Sequence, residues 1–144
     1  MERYLMYLRK SRMDTDYENV SVAETLSRHR KILEDFCKMK RLHVVEVLEE
    51  VVSGESMHAR PEMMRLLGLI STGMYAGVVC MDIERLSRGS SMDSGYIMQV
   101  LQVNNCKVSL CEASHKQVYV EYREMKSFAH FLLYSFNVPF SYYT

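Results

Sequence analysis

Residues Ala76 to Met81, AGVVCM, are the most strand-like run in the chain. They are apolar at every position, so both faces must be covered, and a strand covered on both faces belongs in the middle of a sheet. Working outward from this run, short apolar stretches alternate with amphipathic ones, the order expected of βαβ units. Tyr4 to Leu8 reads as a first buried strand, followed by a polar loop from Arg9 to Asn19. Ser21 and Glu24 have capping-box spacing, and Val22, Leu26, Leu33, Phe36 and Cys37 share one helical face as far as about Met39. Lys38, Lys40 and Arg41 suit the negative end of that helix. Val44 to Val52 reads as a second strand and leads into a loop holding Ser53 and Gly54. Pro61 fits a first helical turn, with an apolar stripe of Met63, Leu66, Leu67, Ile70 and Met74 behind it and Gly73 and Gly77 around its exit. After Met81 a charged loop, Asp82 to Ser91, precedes a helix capped by Ser90 or Ser91 and carrying Tyr96, Ile97, Val100 and Leu101. Lys107 to Cys111 reads as a fourth strand. The expected fold is α/β, a mostly parallel central sheet flanked by helices.

Composition sets the outer limits. A chain of 144 residues with 48% hydrophobic and 25% charged residues has the makeup of one globular domain. No uncharged apolar run approaches the roughly 18 residues of a spanning helix, and MERYLMYLRK carries most of its basic residues after its apolar stretch, unlike a secretory signal. A cytoplasmic protein without membrane partners is expected. Cys37, Cys80, Cys106 and Cys111 lack zinc-site spacing and read as reduced thiols, so no metal or other cofactor is predicted. Eighteen basic residues balance 18 acidic ones, 11 of each through Arg60 and 7 of each after it. Charge alone therefore gives no handle for non-specific nucleic-acid binding. Nine of the fifteen aromatic residues lie between Tyr119 and Tyr143. Met125, Phe128, Ala129, Leu132 and Phe136 are helically spaced there, but SFNVPFSYYT has no core face. An aromatic patch of this kind predicts a missing continuation or an oligomer contact.

Ligands of open α/β sheets collect beyond the carboxyl ends of the strands. The three loops at those ends hold Arg9, Ser11, Arg12, Arg60, Arg85 and Arg88, with Glu50 and Glu84 beside them. Guanidinium groups match phosphoryl oxygens and stabilise charge as it builds in an in-line displacement. A hydroxyl among them is a candidate nucleophile once a base or neighbouring cations support its alkoxide. Arg9, two residues before Ser11 and on the same side of an extended segment, suits the second role. The competing reading makes these arginines a solvated rim paired with Glu49, Glu50 and Glu84, the commoner outcome on composition alone. Arg60 argues against it, because it stands at the N-cap before Pro61, where Ser, Thr, Asp or Asn is preferred.

YLRKSR at Tyr7 to Arg12, EVVSGESMHARPEM at Glu50 to Met64 and GVVCMDIERLSRG at Gly77 to Gly89 together resemble the amino-terminal catalytic domain of the serine recombinases. The large integrase and conjugative-transposon resolvase branch is the nearest pattern. The resemblance spans about Tyr4 to Tyr119 and implies a resolvase-like fold. It further implies that Ser11 attacks a DNA phosphodiester to leave a 5′-phosphoserine link and a free 3′-hydroxyl. Arg9, Arg60, Arg85 and Arg88 match the arginines around the scissile phosphate, with Arg88 near the leaving oxygen, and Tyr7 matches the motif's aromatic. Strand exchange and religation would then need neither metal nor ATP, as in integration and excision of mobile elements. The implied partners are specific DNA sites and further copies of the chain, a homodimer assembling to a tetramer. The chain departs from the pattern at Glu84, where the family has aspartate, and at His29, where glutamine is common in the first helix. Glu50 ranks above Asp82 as a carboxylate of the site. The expected organisation is a catalytic domain over 1–120 and the start of a linking, oligomerising helix over 121–144, with DNA-binding domains absent. The alternative is a non-catalytic or degenerate α/β module that oligomerises or binds phosphate. A flavodoxin-like or receiver-like domain fits less well, since no glycine-rich phosphate loop is present and Asp14 and Asp16 are not set at a strand end.

Overall fold

Four parallel strands carry the chain in a computed structural model that describes residues 1–10, 21–52, 57–81, 86 and 91–111. The elements run β1 (Arg3–Lys10), α1 (Val22–Lys40), β2 (His43–Val51), a single 3-10 turn (Met57–Ala59), α2 (Pro61–Ser71), β3 (Gly77–Cys80), α3 (Ser91–Val103) and β4 (Lys107–Leu110). The sheet order is β2-β1-β3-β4, and every neighbouring pair is parallel. Two strands are therefore central, and β3, the run from which the fold was read, is one of them.

Strand alternation divides the core in two. Leu5 and Tyr7 of β1, with Val78 and Cys80 of β3, face a cluster built with Met63, Leu66, Leu67 and Ile70 of α2 and Ile97, Met98 and Leu101 of α3. Tyr4, Met6 and Leu8, with Val79 and Met81, face the opposite cluster with Leu26, Leu33, Phe36 and Cys37 of α1. Each fully buried aliphatic side chain contributes about 1.5–3 kcal/mol. The unbroken apolar runs of β1 and β3 follow directly from this double cover.

α1 begins as its sequence dictates. Ser21 Oγ accepts from the Glu24 amide, and the Glu24 carboxylate accepts from the Ser21 amide. The helix ends one residue later than read, with Arg41 closing it in the left-handed region at φ 56°. Pro61 occupies the first turn of α2 as expected.

Three expectations need correction. β1 does not stop at Leu8: it continues through Arg9 and Lys10, which pair with Glu50 and Val51 of β2 and are both buried. The Met74 position of the α2 stripe fails, because the helix ends at Ser71 and Met74 is 60% exposed. Thr72 Oγ1 donates to the Leu69 carbonyl and accepts from the Met74 amide, and Gly73 then turns the chain at φ 72°. Gly77 begins β3, within the strand run read from Ala76 to Met81, and a Cβ there would lie 2.6 Å from the Lys107 carbonyl oxygen and 2.7 Å from the Tyr4 ring. Tyr96, placed on the core face of α3, is 49% exposed, while Ile97 and Leu101 are fully buried. Ser91 is the first helical residue of α3, and Ser90 lies outside the described residues.

Candidate functional site

At the carboxyl ends of β1 and β2 the sheet presents Tyr7, Arg9 and Glu50, and the start of α2 adds Arg60. Tyr7 and Arg9 are two apart on β1 and share its α2-facing side. Glu50 is the strand partner of Arg9. Arg9 is 3% exposed, Glu50 6%, and Tyr7 and Arg60 are completely buried.

Tyr7, Glu50 and Arg60 form one connected polar network at the carboxyl end of these strands. Tyr7 Oη donates to Glu50 Oε1 at 2.7 Å and accepts from Arg60 Nη2 at 2.9 Å. Arg60 Nε lies 3.5 Å from the same Glu50 oxygen, and the Arg60 guanidinium carbon sits 5.7 Å from the centre of the Tyr7 ring. Arg60 Nη2 also donates to the Leu86 carbonyl at 3.1 Å. Leu86 lies within the RLSR run, and its side chain is buried in the α2/α3 cluster.

Glu50 has a second task. Its Oε2 accepts from the amides of Glu62 at 2.8 Å and Met63 at 3.1 Å. These amides of the first turn of α2 have no acceptor within the helix, and an N-cap side chain normally satisfies such groups. Arg60, the N-cap residue, makes no capping bond of its own. The unsuitable cap residue is explained: the cap comes from β2, which leaves the arginine side chain for the buried network. Sequence reasoning singled out both residues but missed this link, since nothing local to Arg60 points ten positions back along the chain.

Burial, opposed in part by the Arg60 charge, pushes the Tyr7 phenol well above the ordinary tyrosine range, and the adjacent Glu50 pushes it the same way. Tyr7 is thus a neutral hydrogen-bonding group across physiological pH, and not a base. The rim reading fails for the two arginines described, Arg9 and Arg60, because neither lies at the solvated surface. Glu49 does behave as a surface group, pairing at 3.3 Å with Arg30 of α1. His29 lies on α1, half-buried. Ser11, Arg12, Glu84, Arg85 and Arg88, with Asp82, Asp14 and Asp16, lie outside the described residues, as do Ser53, Gly54 and the whole aromatic stretch after Cys111.

The four cysteines are buried, and none is in a disulfide. Among the described residues no group of three or more His, Cys, Asp or Glu side chains is placed to hold a metal ion, and no helix is long and apolar enough to cross a membrane.

Comparison with known proteins gives this arrangement a family. Solved structures similar to it include the C-terminal catalytic domain of ISC1926 TnpA, an IS607-like serine recombinase, at 19% identity and TM-score 0.63 over 94% of this chain and 95% of that one. The N-terminal catalytic domain of TP901-1 integrase matches at 20% identity and TM-score 0.65 over 94% of each chain. A resolvase family site-specific recombinase from Streptococcus pneumoniae matches at 17% identity and TM-score 0.66 over 95% of this chain and 85% of that one. At these identities the likeness shows the fold, which is resolvase-like. The family model for the resolvase N-terminal domain matches residues 4–136, nearly the full length, and the chain belongs to that family, the catalytic domains of serine recombinases.

Proposed function

We propose that this chain is the catalytic domain of a site-specific DNA recombinase in which Ser11 is the nucleophile. Ser11 Oγ forms a bond to the phosphorus of a DNA phosphodiester while the bond to the 3′-oxygen breaks, and that oxygen leaves with a proton as a 3′-hydroxyl. The product is a 5′-phosphoserine link, which stores the energy of the broken bond. Attack by the 3′-hydroxyl of an exchanged strand reverses the step and releases the serine, with no ATP consumed and no metal required. Arg9, Arg60, Arg85 and Arg88 form the cationic set that serves the phosphoryl group, and Glu84 orients a neighbouring arginine. Tyr7 and Glu50 hold the set's inner end. The assignment of 1–120 to catalysis and 121–144 to a linking, oligomerising helix belongs to the same proposal, as do DNA and further copies of the chain as partners. Mobile-element integration or excision and action on DNA in the cytoplasm complete the reading.

The observation that carries it is the buried Arg60 guanidinium. It touches Tyr7 of the first motif, Glu50 of the second and the Leu86 carbonyl of the third, so three segments distant in sequence meet at one strand edge. A solvated rim has no reason to build such a junction, whereas a phosphoryl-transfer site depends on fixed geometry.

The test uses the longest chain encoded by the same gene, mixed with the DNA that flanks the gene in the presence of a chelator and run on a denaturing protein gel. A shifted band that disappears in Ser11→Ala is expected. A band that persists in Ser11→Ala overturns the nucleophile. DNA binding without any adduct favours the alternative of a phosphate-binding module that does not cleave.

A further inference from the structure

We propose that the groove between the carboxyl end of α1 and the amino-terminal half of β2 docks an acidic segment of a partner protein, one that carries a large apolar side chain between its carboxylates. The proposal does not depend on the recombinase reading. The groove lies on the α1 face of the sheet, near the strand starts where Tyr4 pairs with Val44, whereas Tyr7 and Glu50 face α2 at the carboxyl ends. A partner seated there leaves the Tyr7–Glu50–Arg60 network uncovered.

The cavity holds about 370 Å³, at the small end of the range for bound ligands. Its floor is apolar: Met6 of β1, Cys37 of α1, Leu42, and Val44 and Val47 of β2. A β-bulge builds that floor. Tyr4 pairs with Val44 and Leu5 with Glu46, which leaves Val45 as an extra residue in β2. The insertion brings Val44 and Val47, three apart, to the same α1-facing cluster, where regular alternation joins residues two apart.

The rim is basic. Lys38, Arg41 and His43 line it and are exposed, and among the described residues none of them has a carboxylate within ion-pair distance. Glu34, the acidic residue of the lining, is already paired with Arg30 at 3.3 Å. Arg41 carries a further sign of use. Its φ of 56° lies in the left-handed region, where the residue closing a helix is ordinarily glycine, yet the position holds a long cation beside the cavity. Unpaired cations around an apolar floor complement carboxylates that flank an apolar side chain. A DNA backbone would answer the cations but leave the floor in water, so it fits less well.

The test titrates the whole chain with synthetic peptides in which Leu, Ile or Phe stands between Asp or Glu residues, and reads affinity together with amide NMR shifts. Shifts are expected at Cys37, Leu42, Val44 and Val47, and not at Tyr7 or Glu50. Arg41→Gly removes a cation and suits the backbone, and combined with Lys38→Ala it is expected to weaken binding about tenfold. Salt at about 1 M, where the Debye length is about 3 Å, is expected to weaken it without any substitution. Replacing the peptide's apolar residue with Ser is expected to cost about tenfold or more. Peptides that fail to bind, or that bind the double variant equally well, overturn the proposal, as do shifts centred on Tyr7 and Glu50. Duplex DNA that displaces the peptide and itself binds the variant more weakly makes the groove a nucleic-acid contact, which also overturns it. Self-association that is lost in the variant, read by sedimentation, makes the groove an interface between copies of this chain and overturns the partner.

Discussion

Tyr7 shows how a single hydroxyl can organise a buried junction. It donates a hydrogen bond to Glu50 and accepts one from Arg60, so each of the two charged groups has a neutral intermediary as well as its opposite number. Tyr7→Phe removes only this oxygen. It leaves a buried carboxylate oxygen and a guanidinium N–H each short of a partner, and is expected to cost about 1–3 kcal/mol in urea unfolding. A cost below about 0.5 kcal/mol, the range of an ordinary surface change, would mean the network is dispensable. This scale was only partly legible in the sequence. Tyr7, Arg9, Glu50 and Arg60 were singled out because motif spacing and an unsuitable cap residue drew attention to them. Their mutual contacts were not legible, because each bond spans strands whose register no local signal sets.

Among the elements, legibility follows the range of the interactions. α1 was read closely because its start rests on Ser21 and Glu24, three residues apart. Ser21→Ala is expected to lower stability by about 1 kcal/mol and to raise amide exchange in the first turn of α1; unchanged exchange there would show that the cap is not what starts the helix. The end of β1 was misread because Arg9 and Lys10 look like loop residues until Glu50 and Val51 are seen beside them. The end of α2 was misread because Thr72 and Gly73 close it before the apolar spacing runs out. Gly77, read within the strand run Ala76 to Met81, is needed at the start of β3, where strand backbone and the Tyr4 ring close around it. Gly77→Ala is expected to destabilise by about 1–3 kcal/mol, since the nearest obstacle is backbone and cannot rotate aside. A neutral result by thermal unfolding would show that β4 moves away from β3 at little cost.

For the whole molecule, the balance of charge and the two-sided core make stability depend on neutral buried groups. Burial pushes the Cys37 thiol up to about 11, helped by Cys111 and Glu34, pushes Cys106 up to about 12, and raises Cys111 as well. Tyr7 is raised for the same first reason. Groups whose folded pKa lies above the unfolded one keep their proton in the native state. Their contribution is complete below the ordinary thiol value of 9.0 and is lost as pH rises through the folded values. Resistance to urea should therefore decline from about pH 9 upward; a flat profile to pH 11 would contradict the assigned burial. The same sheet that shelters these thiols brings Tyr7, Glu50 and Leu86 of the three sequence motifs together, and the proposed function has Ser11 become covalently attached to DNA. The direct measurement is mass spectrometry of the adduct after nuclease and chymotrypsin digestion. The account predicts a nucleotide phosphate on the peptide from Arg9 to Tyr17, carried by Ser11; a nucleotide on any other residue, or none on protein that has cleaved its DNA, would contradict it.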